Sequence, residues 1–295
     1  MTPGVEGGPI RTITVLSTGS VRIRPEHGHR NWKPAPLWLL TSREWTDPCP
    51  INVYVIEHEA GLVLFDAGQD RRSVTDDDYY PGGLAGLVYR RLAEFSIDEG
   101  EDLPTLLRAQ GHDPAEVTHV VTSHLHQDHM GCVADVPNAE LLVSADEWKA
   151  MQARGAEING YLRRHIEAGG DRWRQIEFEH LDDADIAPFT SGVDLFGDGS
   201  MVILPTPGHT TGSLSMLVRS PGFDPVILVG DLTFDAPHFG CDHLPGIGSL
   251  GSLRESTTLV EGLAARLPGL AVCATHDPAA AGILHRATDP DHPVE

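Results

Sequence analysis

The sequence predicts an α+β fold in which two β-sheets pack face to face and helices cover their outer surfaces. Three observations predict it. Short apolar runs of strand character come in clusters, and segments of helical period follow each cluster. No Pro-, Gly- or Ser-rich linker divides the 295 residues, so one domain spanning 1–295 is expected. Several of the apolar runs end in a turn that carries a histidine or an aspartate.

The elements follow in order. Thr12–Leu16, Asn52–Glu57 and Leu62–Phe65 read as strands, the last two joined at Glu59-Ala60-Gly61 like a hairpin. A helical insertion is expected near 69–103, where Leu84–Phe95 has helical spacing, and Leu103–Ala109 reads as another helix ended by Gly111. Val117–Thr122 is an apolar run of buried-strand type, Leu141–Val143 a short strand and Ala145–Arg154 a helix. The polar stretch through Asp185 has no clear period. Met201–Leu204, Ser213–Val218 and Val226–Val229 read as strands, Ser256–Arg266 as a helix and Leu270–Ala274 as a last strand.

Composition narrows the function. The formal charge of −22 opposes binding to a phosphate backbone, which needs clustered Lys and Arg, so no nucleic-acid partner is expected. No run of eighteen apolar residues occurs and the first residues lack the basic-then-apolar pattern of a secretory signal, so no membrane partner and a cytoplasmic address are expected. Cys49, Cys132, Cys241 and Cys273 lie far apart without a CxxC pair, and are expected to be reduced and mostly buried. The 16 histidines matter through their placement, because neutral imidazole is the commonest metal ligand.

The strand 117–122 delivers the chain into His124-Leu125-His126-Gln127-Asp128-His129. His124 and His126, one residue apart, can face one point, and Asp128 with His129 a second, so one hexapeptide can serve two metals. A solitary histidine is usually a satisfied core or surface residue; four ligand-type side chains within six positions are not. Three later segments repeat the pattern of a strand ending in a ligand-type residue: Pro205-Thr206-Pro207-Gly208-His209, Val229-Gly230-Asp231 and Ala274-Thr275-His276-Asp277-Pro278. Alone, each could be a cap or a turn.

The order HLHQDH, TPGHT, GD and THDP resembles the metal-binding pattern of the metallo-β-lactamase superfamily, over nearly the whole chain. The resemblance implies an αββα sandwich of two mixed β-sheets flanked by helices. It implies two divalent metal ions, one held by His124, His126 and His209, the other by Asp128, His129 and His276, with Asp231 bridging. Asp66 in Leu-Phe-Asp-Ala-Gly matches the family's aspartate that supports the ligands without binding metal. Asp231 stands where the zinc β-lactamases use cysteine, which argues against drug hydrolysis. His126 stands where flavodiiron oxygen reductases have glutamate, so zinc is favoured over diiron chemistry, although cobalt, manganese and iron fit the same donors. RNA-processing members share HxHxDH, but the acidic charge of this chain and its lack of a large inserted domain count against that branch.

More narrowly, NVYVIEH with LFDAGQ, SHLHQDHMG, TPGHTTGS and HDP is similar to the N-acyl homoserine lactonases of quorum quenching. The resemblance implies opening of a lactone ring by a metal-bridging hydroxide, with Asp128 as the catalytic residue that orients it or shuttles its proton. Hydrolysis of another carboxylic ester or a thioester is the alternative; a phosphodiesterase and a metal-site sensor without turnover stand further off. The expected partner is a small neutral lactone or ester with an apolar acyl part, and a homodimer is compatible. One residue departs from the lactonase pattern: Phe234 stands where those enzymes have a tyrosine that assists the substrate, and His238 or His243 are the nearest replacement donors in sequence. Tyr79, Tyr80, Leu84, Leu87, Val88, Phe95, Trp32, Trp38 and Trp45 could line an acyl pocket, with ordinary packing the commoner role for each.

Overall fold

In the computed structural model, which describes residues 8–289, two mixed sheets face each other. The rest of the expected 1–295 domain lies outside the described residues. The first sheet comprises β1 (Ile10–Ile23), β2 (Cys49–His58), β3 (Gly61–Phe65), β4 (Ala93–Ser96), β5 (Val117–Val121), β6 (Glu140–Ser144) and β7 (Trp173–Ile176). Its order is β4-β1-β2-β3-β5-β6-β7, antiparallel from β4 to β3 and parallel from β3 to β7. The second comprises β8 (Glu179–His180), β9 (Ser191–Asp194), β10 (Met201–Pro205), β11 (Leu214–Val218), β12 (Val226–Leu228) and β13 (Ala271–Cys273), in the order β13-β12-β11-β10-β9-β8.

The two-residue period of the strands builds three layers of core. On β2, Tyr54 and Ile56 point between the sheets while Val53 and Val55 point outward; on β3, Val63 and Phe65 point inward and Leu62 and Leu64 outward. Met201, Ile203, Met216 and Leu228 of the second sheet meet them, and Val202, Leu204, Leu217 and Ile227 turn to the opposite face. Each outer face is covered by helix: Leu103 and Leu107 of Leu103–Ala109 and Met151 of Ala145–Gln152 lie on the first sheet, Leu253, Val260 and Leu263 of Leu250–Ala264 on the second. Strands β2, β3, β6, β10, β11 and β12 are buried on both faces, which is why they read as nearly continuous apolar runs. The arrangement is the expected αββα sandwich.

Several boundaries differ from expectation. Leu84–Phe95 is not one helix: the helix is Gly83–Leu92, and Ala93–Ser96 turns into β4 beside β1. Phe95 there packs on Val21, Ile23 and Ile51, a gain in burial that outweighs local spacing. The helix expected at Ser256 starts at Leu250, because the Ser249 side chain accepts from the Ser252 amide and caps it. Helix Ala280–Thr288, not foreseen, buries Ala280, Leu284 and Ala287 with the strands of the inter-sheet core. Cys132 and Cys273 are buried, Cys49 and Cys241 only partly so, and all four are unpaired. Among the described residues no helix is long and apolar enough to cross a membrane.

Candidate metal centre

The site lies where strands of both sheets end. β5 leads through Thr122 and Ser123 into His124 and His126, and the turn of helix Gln127–Met130 carries Asp128 and His129. β10 leads to His209, β12 to Asp231 and β13 to His276. The Asp231 turn depends on Gly230, whose φ is 55° and whose added Cβ would stand 2.7 Å from Ser123.

All seven expected ligands come together. Three overlapping triads have ligand atoms within 4.8 Å of one another: His124, His126 and His209; His124, His129 and Asp231; Asp128, His129 and His276. Asp231 lies between the groups, with Oδ2 3.4 Å from His209 Nε2 and Oδ1 3.3 Å from His129 Nε2 and 3.6 Å from His276 Nε2. Asp128 Oδ2 is 3.4 Å from His276 Nε2. His126 Nδ1 is 3.1 Å from His209 Nε2, two ring nitrogens aimed at one point.

The donor set fits divalent cations. His124 Nε2, His129 Nε2, His209 Nδ1 and Asp231 Oδ1 are buried without a hydrogen-bond partner, the 3.3 Å approach of Asp231 to His129 lacking hydrogen-bond geometry. Each such orphan costs about 1–3 kcal/mol unless something else satisfies it. Burial, helped by neighbouring imidazoles, holds His124 well below its ordinary pKa and pushes His209 down to about 3, so both are neutral at pH 7. Burial alone would raise Asp231, but His129, His276 and His209 hold it well below the usual carboxylate range, and His276 and His129 do the same for Asp128. Neutral imidazoles and ionised carboxylates are the forms that bind metal. His129 and His276 are pushed up against burial, by Asp231 with Asp66 and by Asp231 with Asp128 respectively; a cation there replaces the proton between the same charges.

Asp66 is fully buried at the end of β3, with an uncommon φ of 62°. Its Oδ2 meets His129 Nδ1 at 2.7 Å and accepts from the hydroxyls of Ser123 and Thr275 at 3.0 and 3.1 Å, while Oδ1 accepts from the Ser123 amide at 2.7 Å. That leaves His129 Nε2 facing the centre.

Three supports escaped the sequence reading. Buried Glu147, on helix Ala145–Gln152, accepts from the Leu125 amide at 2.9 Å and the Gly212 amide at 3.1 Å, tying the two histidine loops together. His126 Nε2 reaches the Asn159 carbonyl at 3.1 Å, and the next residue, Gly160 with φ 99°, leaves room for the ring: a Cβ there would stand 2.4 Å from it. His27 lies with its ring parallel to His209 within 5°, centroids 6.1 Å apart, and burial pushes its pKa down to about 4. None stands in a ligand-like motif; only the glutamate at a helix start and the Asn-Gly pair carried any signal.

Phe234 stacks on His276 with centroids 5.4 Å apart and meets His209 edge-on at 6.5 Å. The replacement donors expected from sequence lie elsewhere: exposed His238 pairs with Asp235 at 2.9 Å, and His243 stacks on His238. Besides His276 and His209, the imidazole next to Phe234 is His27, at 5.4 Å. Of the suggested acyl-pocket residues, Trp38 is buried against His27, whereas Trp32, Leu84 and Leu87 are exposed, Phe95 lies in β4 and Trp45 sits under Arg24.

Known proteins show the same fold and pattern. Residues 46–276 match the family model of the Metallo-beta-lactamase superfamily. The N-acyl homoserine lactonase AttM of Rhizobium johnstonii is 30% identical over 246 residues, 81% of this chain and 86% of that protein. A solved N-acyl homoserine lactone hydrolase, with the product N-hexanoyl-L-homoserine bound at its catalytic metal centre, superposes with a TM-score of 0.71 at 18% identity, over 94% of this chain and 95% of that one. AidC, a dizinc quorum-quenching lactonase in complex with a product, does so with a TM-score of 0.62 at 16% identity, over 93% and 92% of the two chains. At these identities the structural likenesses concern the fold. The chain belongs to the metallo-beta-lactamase superfamily and is a metal-dependent hydrolase of that fold.

Proposed function

We propose that this chain opens the lactone ring of N-acyl homoserine lactones or close relatives at a centre of two zinc ions, carried on a single domain and working in the cytoplasm. The observation that carries the reading is the convergence of His124, His126, His209, Asp231, Asp128, His129 and His276, with His124 Nε2, His129 Nε2 and Asp231 Oδ1 facing the centre unpartnered. Two groups of three with a shared aspartate suit two ions, and the AttM relative supports the lactone as substrate. The cytoplasmic address rests on four unpaired cysteines.

When bound, a pair of divalent ions supplies an activated water at neutral pH and polarises a carbonyl oxygen. The chain's own residues supply the rest. His124, His126 and His209 would hold one ion, and Asp128, His129 and His276 the other, with Asp231 within reach of both. Asp128 keeps part of its side chain accessible and is the one carboxylate among the ligands that does so, which suits it to hold the proton of the attacking water and pass it to the leaving oxygen. Asp66 fixes His129 through Nδ1. Phe234 places an apolar face against His276 at the edge of the centre.

Phe234 also favours a second reading, hydrolysis of a different carboxylic ester or a thioester, because a phenyl ring cannot donate the hydrogen bond a tyrosine gives at this position in the lactonases. A pH-stat panel of short and long acyl homoserine lactones, alkyl lactones, an aryl ester and a thioester separates the two, with zinc-loaded wild type beside His126→Ala. Turnover of the homoserine lactones that is lost in His126→Ala is expected; turnover confined to the ester or thioester sinks the lactonase reading.

A further inference from the structure

His27 stands in the helical turn Pro25–Gly28, directly after β1. Its backbone is held on both sides: its amide donates to the Arg24 carbonyl at 2.8 Å, and its carbonyl accepts from the Gly246 amide at 2.7 Å. Arg24 is itself anchored, donating to the Arg91 and Glu44 carbonyls at 3.0 Å each, with its guanidinium 3.5 Å above the Trp45 ring. The imidazole is therefore placed by its surroundings rather than left to find a place.

Around the ring stand Trp38, Phe234 and His209, with centroids at 6.3, 5.4 and 6.1 Å. Both ring nitrogens are shielded from solvent, and neither has a hydrogen-bond partner. A buried polar group without a partner is uncommon and calls for a ligand or a reason. Packing against Trp38 and Phe234 gives none, since an apolar side chain would serve it better. The inward-facing atoms of His209 and His276 are committed to metal in the reading above, and Phe234 has no donor. An imidazole carries at least one N–H in either protonation state.

We propose that His27 binds the substrate, its ring N–H donating to a carbonyl oxygen of the ester, lactone or attached amide as that group lies over the metal centre beside Phe234 and His209. The proposal rests on reading the centre as a carbonyl hydrolase. It makes the segment between β1 and β2 part of the substrate site, although that segment contributes no metal ligand. A site built around such a donor discriminates against analogues that lack the acceptor.

The test compares zinc-loaded wild type, His27→Phe and His27→Gln, by steady-state kinetics, by calorimetric affinity for the ring-opened product and by zinc content. His27→Phe is expected to raise KM and weaken product binding by about tenfold, the effect of one lost hydrogen bond, with little change in kcat. His27→Gln, which keeps an N–H donor, should recover most of the loss, and all three proteins should hold the same zinc. Unchanged KM and product affinity in a folded His27→Phe protein overturns the proposal. Loss of zinc does so too, since His27 would then act through the metals. Should His27→Phe fail to fold, the ¹⁵N–¹H signal of the His27 ring in wild type decides: a shift on product titration supports the contact, and an unmoved signal overturns it. If wild type ignores homoserine lactones but cleaves the ester or thioester, the lactone reading alone fails, and the same comparison on that substrate still judges His27.

Discussion

His129 Nδ1 lies 2.7 Å from Oδ2 of Asp66, a carboxylate that is fully buried and held by the Ser123 amide and the hydroxyls of Ser123 and Thr275. Asp66 therefore sets which nitrogen of His129 faces the centre. Asp66→Asn tolerates the φ of 62° but removes the charge opposite His129. Metal affinity in chelator competition is expected to fall about 10–100-fold in this variant, with the protein still folded. Unchanged affinity would remove Asp66 from the metal machinery.

Glu147 links two ligand loops through one carboxylate. Glu147→Ala strips the acceptor from the buried amides of Leu125 and Gly212. Each orphaned group costs about 1–3 kcal/mol, so the variant should lose at least about 2 kcal/mol of stability. Thermal unfolding of the metal-free protein reads this apart from metal loading, and an unchanged Tm contradicts it.

Gly160 leaves space for His126. Gly160→Ala places a methyl 2.4 Å from that ring, at a φ of 99°. Gly155→Ala is the control, with φ 78° but nothing within 4 Å of its added methyl. The expected outcome is weaker binding of one ion in Gly160→Ala only, read as a drop in zinc content while the group containing Asp128, His129 and His276 stays filled. Equal zinc in both variants would mean that His126 moves without consequence.

His165 gives a pH dependence away from the metals. Its ring stacks on Tyr79 at 4.1 Å, its Nε2 donates to the Tyr79 carbonyl at 3.1 Å, and burial lowers its pKa from 6.5 despite that bond. The unfolded chain thus binds the proton more readily. The stability contributed by neutral His165 is present above pH 6.5 and is lost as pH falls through that value toward the lower folded pKa. The Tm of zinc-loaded protein should drop on acidification through this window, and drop less in His165→Gln. Parallel curves for the two proteins would contradict this.

The sequence revealed most where the physics is local. An apolar run followed by a ligand-type residue is one strand and its exit turn, so the seven residues that converge at the centre, and Asp66 behind them, could be read from short segments. Long-range geometry was not legible. Glu147 looks like a helix-surface glutamate until its carboxylate is seen to reach two loops, and His27 lies in a polar segment that only the folded chain brings beside His209 and Phe234. Strand β4 was read as helix because Leu84–Phe95 keeps helical spacing, whereas pairing with β1 and burial of Phe95 decide its end. Strands β7 and β9 are short and only partly buried, so neither shows a strong period.

The most direct test of the central claim is a zinc titration of the metal-free protein, with hydrolysis of an acyl homoserine lactone followed at each addition. Two equivalents should bind, with turnover rising as the second site fills and disappearing with chelator. Saturation at one equivalent, turnover that survives chelation, or a protein with two bound zinc ions that leaves the lactone intact would contradict it.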